Sequence, residues 1–135
     1  MDIRRLAAIV YAVVSAGVVA FQVALALGAP WGSVAMGGAF PGQLPPALRL
    51  TALLQAVVLV LMSGVVLARA GVALRRWHRA SRWLVWVVVA FAAVSLVLNL
   101  ITPSAGERMI WAPAAFVLLA SSLLVATGPA APKQS

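Results

Sequence analysis

The chain has 135 residues, of which 64% are apolar and only 9% charged, with a net charge of +8. Soluble domains carry about 25% charged residues, so a water-soluble globular fold is excluded, and a mean hydropathy of +1.09 assigns the chain to a bilayer. Cysteine is absent, which removes disulfide frameworks, thiolate catalysis and Cys-ligated metal centres.

Four apolar stretches are each long enough, at 1.5 Å per helical residue, to cross a hydrocarbon core of about 30 Å. They predict an all-α, integral membrane four-helix bundle forming a single domain over residues 1–128. The first span covers about 6–28, "LAAIVYAVVSAGVVAFQVALALG". Its basic start and the "ALA" at 24–26 imitate a secretory signal peptide, but the apolar run is longer than an h-region of about 7–15 residues. The reading retained is a membrane helix. Within it Ala8, Ala12, Ala16, Ala20, Ala24 and Gly28 stand at steps of four. Helices in lipid associate through close backbone approach, so this ridge is expected to be a packing seam, within the chain or between copies.

Residues 28–49, "GAPWGSVAMGGAFPGQLPPALR", hold five glycines and four prolines and no charge before Arg49. So many breakers exclude a helix, and the length exceeds what joins two antiparallel helices. The expected structure is a lid folded over one mouth of the bundle. Gly37-Gly38 is expected to turn a short hairpin, and Trp31 and Trp111 are expected to anchor the lid at headgroup level. The second span, about 46–69, opens on Pro45-Pro46, suited to a first helical turn where a missing N–H costs nothing.

Between spans 2 and 3 lies "RAGVALRRWHRASRW". Arg75, Arg76, Arg79 and Arg82 are expected to meet anionic lipid headgroups at roughly 1 kcal/mol each, with Trp77, Trp83 and Trp86 in the aromatic belt. His78, the sole histidine, reads as a solvated surface residue. The third span covers about 83–101. Ser104 and Glu107 then show the S-x-x-E spacing of a capping box, which starts span 4, about 105–127, and leaves Pro113 inside it as an expected kink. The alternative is Pro113 as the first residue of a shorter helix. The tail, 129–135, is small, polar and proline-bearing and is expected to be disordered.

Basic residues orient the bundle. Arg4, Arg5, Arg69, Arg75, Arg76, Arg79, Arg82 and Lys133 fall on one side, and Arg49 and Arg108 on the other. The positive-inside rule puts both termini and the 69–83 segment in the cytoplasm and the glycine-rich lid outside it, in a bacterial inner (plasma) membrane. The charge is therefore topogenic, and nucleic acid is excluded as a partner.

Polar residues gather toward the lid side: Gln22, Gln55 and Asn99 within the spans, and Arg49, Glu107 and Arg108 at their ends. Amides are costly against hydrocarbon, so all three are expected to point inward, as interhelical glue or as the lining of a small vestibule. Arg49 is expected to pair with Glu107 and close the mouth, with Arg108 snorkelling to the surface; the alternative is that Glu107 only caps helix 4. No catalytic set, metal cluster or phosphate-binding glycine motif stands in the sequence, so no enzyme, metal or cofactor is expected.

Small four-span multidrug exporters carry a glutamate in their first span, and this one has none. "GGAFPGQLPPALR" is only loosely similar to the early glycine-rich stretch of fluoride-channel-like proteins. As a whole, through "GAPWG", "GG..PGQLP...R" and "PS..ER..W.P", the chain resembles small four-span proteins of high-GC bacteria that have no assigned activity, and none is implied. The expected role is a scaffold, sensor or accessory subunit. It would engage a lipid or a membrane partner, or a second copy of the chain, through its outer face. The alternative is an oligomeric channel or transporter for a small solute.

Overall fold

The computed structural model describes residues 2–128. Four long helices account for most of them: α1 (Ile3–Ala26), α2 (Pro46–Arg69), α3 (His78–Ile101) and α4 (Ala105–Thr127). All four are long and apolar enough to span a membrane. The expected tail, with Lys133, lies outside the described residues.

The helices pack in cyclic order, α1 against α2 and α4, and α3 against α2 and α4. Large apolar side chains such as Val13, Leu54, Val60, Val87, Leu98 and Phe116 point outward. A belt of this kind is unstable in water and suits lipid. The interior is built from small residues, because close approach of backbones is what binds helices in that medium. One cluster joins Ala7, Ala8, Tyr11, Val65, Val66, Val85, Val88, Ala92, Leu118 and Val125. A second joins Leu25, Ala35, Leu44 and Ala52 beneath the α1–α2 connection.

Three helix boundaries differ from the sequence reading. α1 begins at Ile3, because Asp2 caps it: its Oδ1 accepts from the Arg5 N–H at 2.8 Å. It ends at Ala26, with Gly28 at φ +105° beyond it. α3 begins at His78, after a single 3-10 turn at Arg75–Trp77. Pro113 stands inside α4, which excludes the shorter helix starting there.

The alanine ridge of α1 does not form one seam within the chain. Ala8 is fully buried, Ala12, Ala24 and Gly28 are half-buried, and Ala16 and Ala20 are exposed. A step of four residues overshoots a 3.6-residue turn by about 40°, so the ridge winds off the buried face. The buried face runs instead through Arg4, Ala7, Ala8, Tyr11, Ser15 and Leu25.

A helix leaves its last four carbonyls without intrahelical partners, and hydrocarbon offers no water to satisfy them. Here each helix receives a basic side chain from the first four residues of another. Arg49 Nε of α2 donates to Ala26 O of α1 at 3.0 Å. Arg4 Nε of α1 donates to Val125 O of α4 at 3.1 Å. Arg108 of α4 donates to Thr102 O at the end of α3. His78 of α3 places Nδ1 2.8 Å from Ala68 O of α2, where only a protonated nitrogen fits against a carbonyl. The positive charges also oppose the negative ends of the helix dipoles. His78 is exposed, as expected of a surface residue, and in addition caps α2. Arg108 is exposed as well but turns its guanidinium to a carbonyl of the bundle, and both contacts follow from nearby carbonyls that lack partners.

Glycines make room for this. A Cβ on Gly128 would fall 2.5 Å from Arg4 Cγ, and one on Gly28 would fall 3.3 Å from Arg49 Nη2. At the other connection, a Cβ on Gly64 would meet the Trp77 ring at 2.8 Å and Leu74 Cδ1 at 3.1 Å. Those two side chains press into α2 there, and Leu74 adopts a left-handed φ of 54° to do so.

Arg49→Met keeps the aliphatic stem and removes the donor, stranding a carbonyl at the end of α1. We expect it to lower stability by about 1–3 kcal/mol. Arg79→Met, on an exposed residue, should stay within about 0.5 kcal/mol. Thermal unfolding of the two variants in one detergent compares them directly.

Candidate functional site: a lidded cavity between the helices

A cavity of about 380 Å³ lies between the helices at the end that carries the glycine-rich connection. Small-molecule sites have volumes of about 300–1,000 Å³. Each helix contributes residues at helical spacing: Val18 and Gln22 from α1, Gln55 and Leu59 from α2, Phe91, Ser95 and Asn99 from α3, and Glu107, Trp111 and Leu118 from α4. The roof is Val34, Ala35 and Met36. The floor includes Tyr11, Ala92 and Leu118, which also belong to the main core cluster.

The roof is fastened chiefly to the start of α4. Ser104 Oγ donates to Ser33 O at 2.7 Å and accepts from the Glu107 N–H at 3.1 Å. Trp111 Nε1 donates to Val34 O at 2.8 Å. The Glu107 carboxylate accepts from the Gly37 N–H at 2.9 Å. A Cβ on Gly106 would lie 2.8 Å from Val34 Cγ1, so this glycine seats the valine on the helix. Phe21 stacks on Trp31 with centroids 5.9 Å apart, and Trp111 sits 4.4 Å from Phe21 on a tilt. Trp31 and Trp111 thus hold the connection through Phe21 and through Val34 O, besides any contact with headgroups.

The expected hairpin is absent. Residues 32–34 and 36–38 form two short 3-10 turns, and Gly37 and Gly38 take φ of 78° and 75° between a bundle end and the roof. The connection closes on itself elsewhere: Gly32 N–H donates to Gly42 O at 2.9 Å. A Cβ on Gly32 would lie 1.8 Å from Phe40 O. Contact with α4, which no local pattern encodes, wins over strand pairing.

The structure brings four of the six expected polar residues together. Gln22, Gln55, Asn99 and Glu107 line the cavity, while Arg49 and Arg108 face helix carbonyls. The Arg49–Glu107 pair is therefore corrected, since each group finds a backbone partner nearer to hand. The capping box is half made: Ser104 caps Glu107, but the carboxylate turns to Gly37 instead of to Ser104 N–H. The three amides do not join helices as glue. Asn99 Nδ2 donates to Ser95 O of its own helix at 2.7 Å, and Gln22 Oε1 is buried without a partner among the described residues.

Polarity is graded along the cavity. Below the amides its walls are mainly apolar, Val18, Leu59, Phe91, Ala115 and Leu118, with the side chains of Ser95 and Tyr11 among them. One side is loosely closed, because α3 buries only 17% of its most apolar window against 39% for α2. Phe91, Val94 and Leu98 line the cavity and are also exposed on the outside of the bundle. The arrangement is a mainly apolar chamber with hydrogen-bonding groups under a lid and a thin wall along α3.

At the far end, Arg75, Arg76, Arg79 and Arg82 are exposed, with the Arg82 guanidinium 5.9 Å from the Trp83 ring centroid. Trp77 is 38% exposed, its ring partly spent on Gly64. No group of metal-ligating side chains stands among the described residues.

Gly32→Ala should release the lid without unfolding the bundle, because the new methyl has no room against Phe40 O. Hydrogen exchange should rise across 32–40, while amides within α2 and α4 keep their protection.

No family model, curated protein or solved structure matches the chain.

Proposed function

We propose that the protein is a multi-pass protein of the bacterial plasma membrane that serves as a scaffold, sensor or accessory subunit by holding an amphiphilic molecule under its extracytoplasmic lid. The observation that carries this reading is the graded cavity. It has hydrogen-bonding groups beneath the roof, mainly apolar walls below them, and a wall on α3 whose Phe91, Val94 and Leu98 are also exposed on the outside of the bundle. A molecule with a polar head and an apolar chain matches that gradient and can enter sideways from the bilayer.

A channel or transporter needs a polar path through both halves of the bundle. Below the cavity the core cluster is Ala7, Ala8, Val66, Val85, Val88 and Val125, all buried and apolar. The buried Ser81, Ser121 and Ser122 turn their hydroxyls to carbonyls of their own helices. A closed floor favours holding over passage. Lipid contact at the arginine end fits the same reading: the exposed arginines and Trp83 supply attraction to anionic headgroups and an interfacial ring.

The orientation rests on the distribution of arginines. Reporter fusions within 34–40 and after Ser135 should report opposite sides of the membrane, with the C-terminus cytoplasmic; a periplasmic C-terminus would reverse the assignment.

Ser95→Phe places a ring in the cavity. Native mass spectrometry of gently purified protein should show bound amphiphile in the parent chain and in Val97→Phe, which alters an exposed site on the same helix. It should show little in Ser95→Phe. Equal occupancy in all three would remove the cavity as the binding place.

A further inference from the structure

The polar end of the cavity narrows the class of amphiphile, a step that rests on the amphiphile reading above. Its one charged group, Glu107, is an acceptor, and each amide adds an acceptor oxygen beside its N–H donors. The Glu107 carboxylate accepts one hydrogen bond, from the Gly37 N–H, and makes no ion pair among the described residues. Gln22 Oε1 is buried and lacks a donor. Asn99 gives one of its two N–H donors to Ser95 O, which leaves the other donor and its acceptor oxygen. No arginine lines the chamber, since Arg49 and Arg108 are committed to helix carbonyls.

The walls near these groups are aromatic. Phe21, Phe91 and Trp111 all line the cavity, and Glu107 and Trp111 share one face of α4 at i and i+4. A carboxylate with aromatic faces around it is the chemistry that recognises ammonium ions: the rings present negative faces to the cation and tolerate its alkyl substituents. The carboxylate supplies full charge, and its attraction is strong where water is scarce. An anionic head would meet Glu107 with repulsion, and a neutral head would leave the charge uncompensated.

We propose that the cavity selects amphiphiles with an alkylammonium head, seated between Glu107 and the aromatic walls with the chain directed toward Leu118. The head belongs to an aminophospholipid or to a free long-chain amine. Because Gly37 N–H shares the carboxylate, ligand and lid act on the same group.

The test uses the full chain in a neutral maltoside detergent and follows binding by tryptophan fluorescence. Dodecylammonium should bind about tenfold or more tightly than dodecanol, and dodecanoate more weakly than dodecanol. Glu107→Gln keeps an oxygen for the Gly37 N–H and removes the charge, so the three probes should converge to within about twofold. Gln22→Leu removes a separate acceptor and should reduce the preference even if Glu107→Gln proves too unstable to titrate. Equal binding of all three probes to the parent protein would leave the amphiphile reading standing and overturn the ammonium selectivity. Binding by none would overturn both. Selectivity that survives Glu107→Gln would also overturn the assignment. In nanodiscs, weaker dodecylammonium binding with phosphatidylethanolamine than with phosphatidylglycerol identifies the lipid head as the source. Equal strong binding in both identifies the free amine.

Discussion

The structure depends on satisfying the carbonyls at four helix ends. In water such groups bond to solvent; at the edge of a bilayer they need protein donors. The chain supplies one basic side chain per end, each taken from the start of another helix: Arg49 to α1, His78 to α2, Arg108 to α3 and Arg4 to α4. Antiparallel neighbours make this economical, since the start of one helix lies beside the end of the next. Arg4 shows how far the requirement is met, being only 5% exposed although charged. Glycines 28 and 128, just past two of the helix ends, keep the space these side chains need.

This pattern explains what the candidate site contains. With Arg49 and Arg108 held by carbonyls, Glu107 has no cationic partner at its own end and bonds to the lid through Gly37. The same carboxylate then lines the cavity with Gln22, Gln55 and Asn99. Tying the helices at their ends also permits slack between them. α3 stays the least buried helix, and several of its exposed residues line the cavity. The lid is held mostly by backbone acceptors and by two indole rings, so its position follows from the placement of Ser104, Gly106, Glu107 and Trp111 on the first turns of α4.

Much of the fold was legible in the sequence because membrane helices are encoded by length and apolar character alone. The four helices, the diproline start of α2, the serine cap of α4 and the inward direction of the three amides all follow from local chemistry. The α1 ridge does not form one seam within the chain because a period of four is close to a helical turn but accumulates a drift, which spacing by itself hides. Asp2 as a cap was within reach, since an aspartate stands directly before an apolar helix. The fate of the arginines was not. A basic residue near a helix start reads the same whether it faces headgroups, a carboxylate or a neighbouring carbonyl.

The sequence by itself determined that this is a chain of four apolar helices with a glycine- and proline-rich connection and polar residues concentrated toward one end. Those features depend on composition and on residues close together in the chain. Only the tertiary structure decided that Arg49 and Glu107 part company, that Gly37-Gly38 serves contact with α4 instead of a hairpin, and that four distant polar residues share one chamber. The physical reason is competition among partners: each buried donor or acceptor takes the nearest group that satisfies it, and nearness across helices is set by packing.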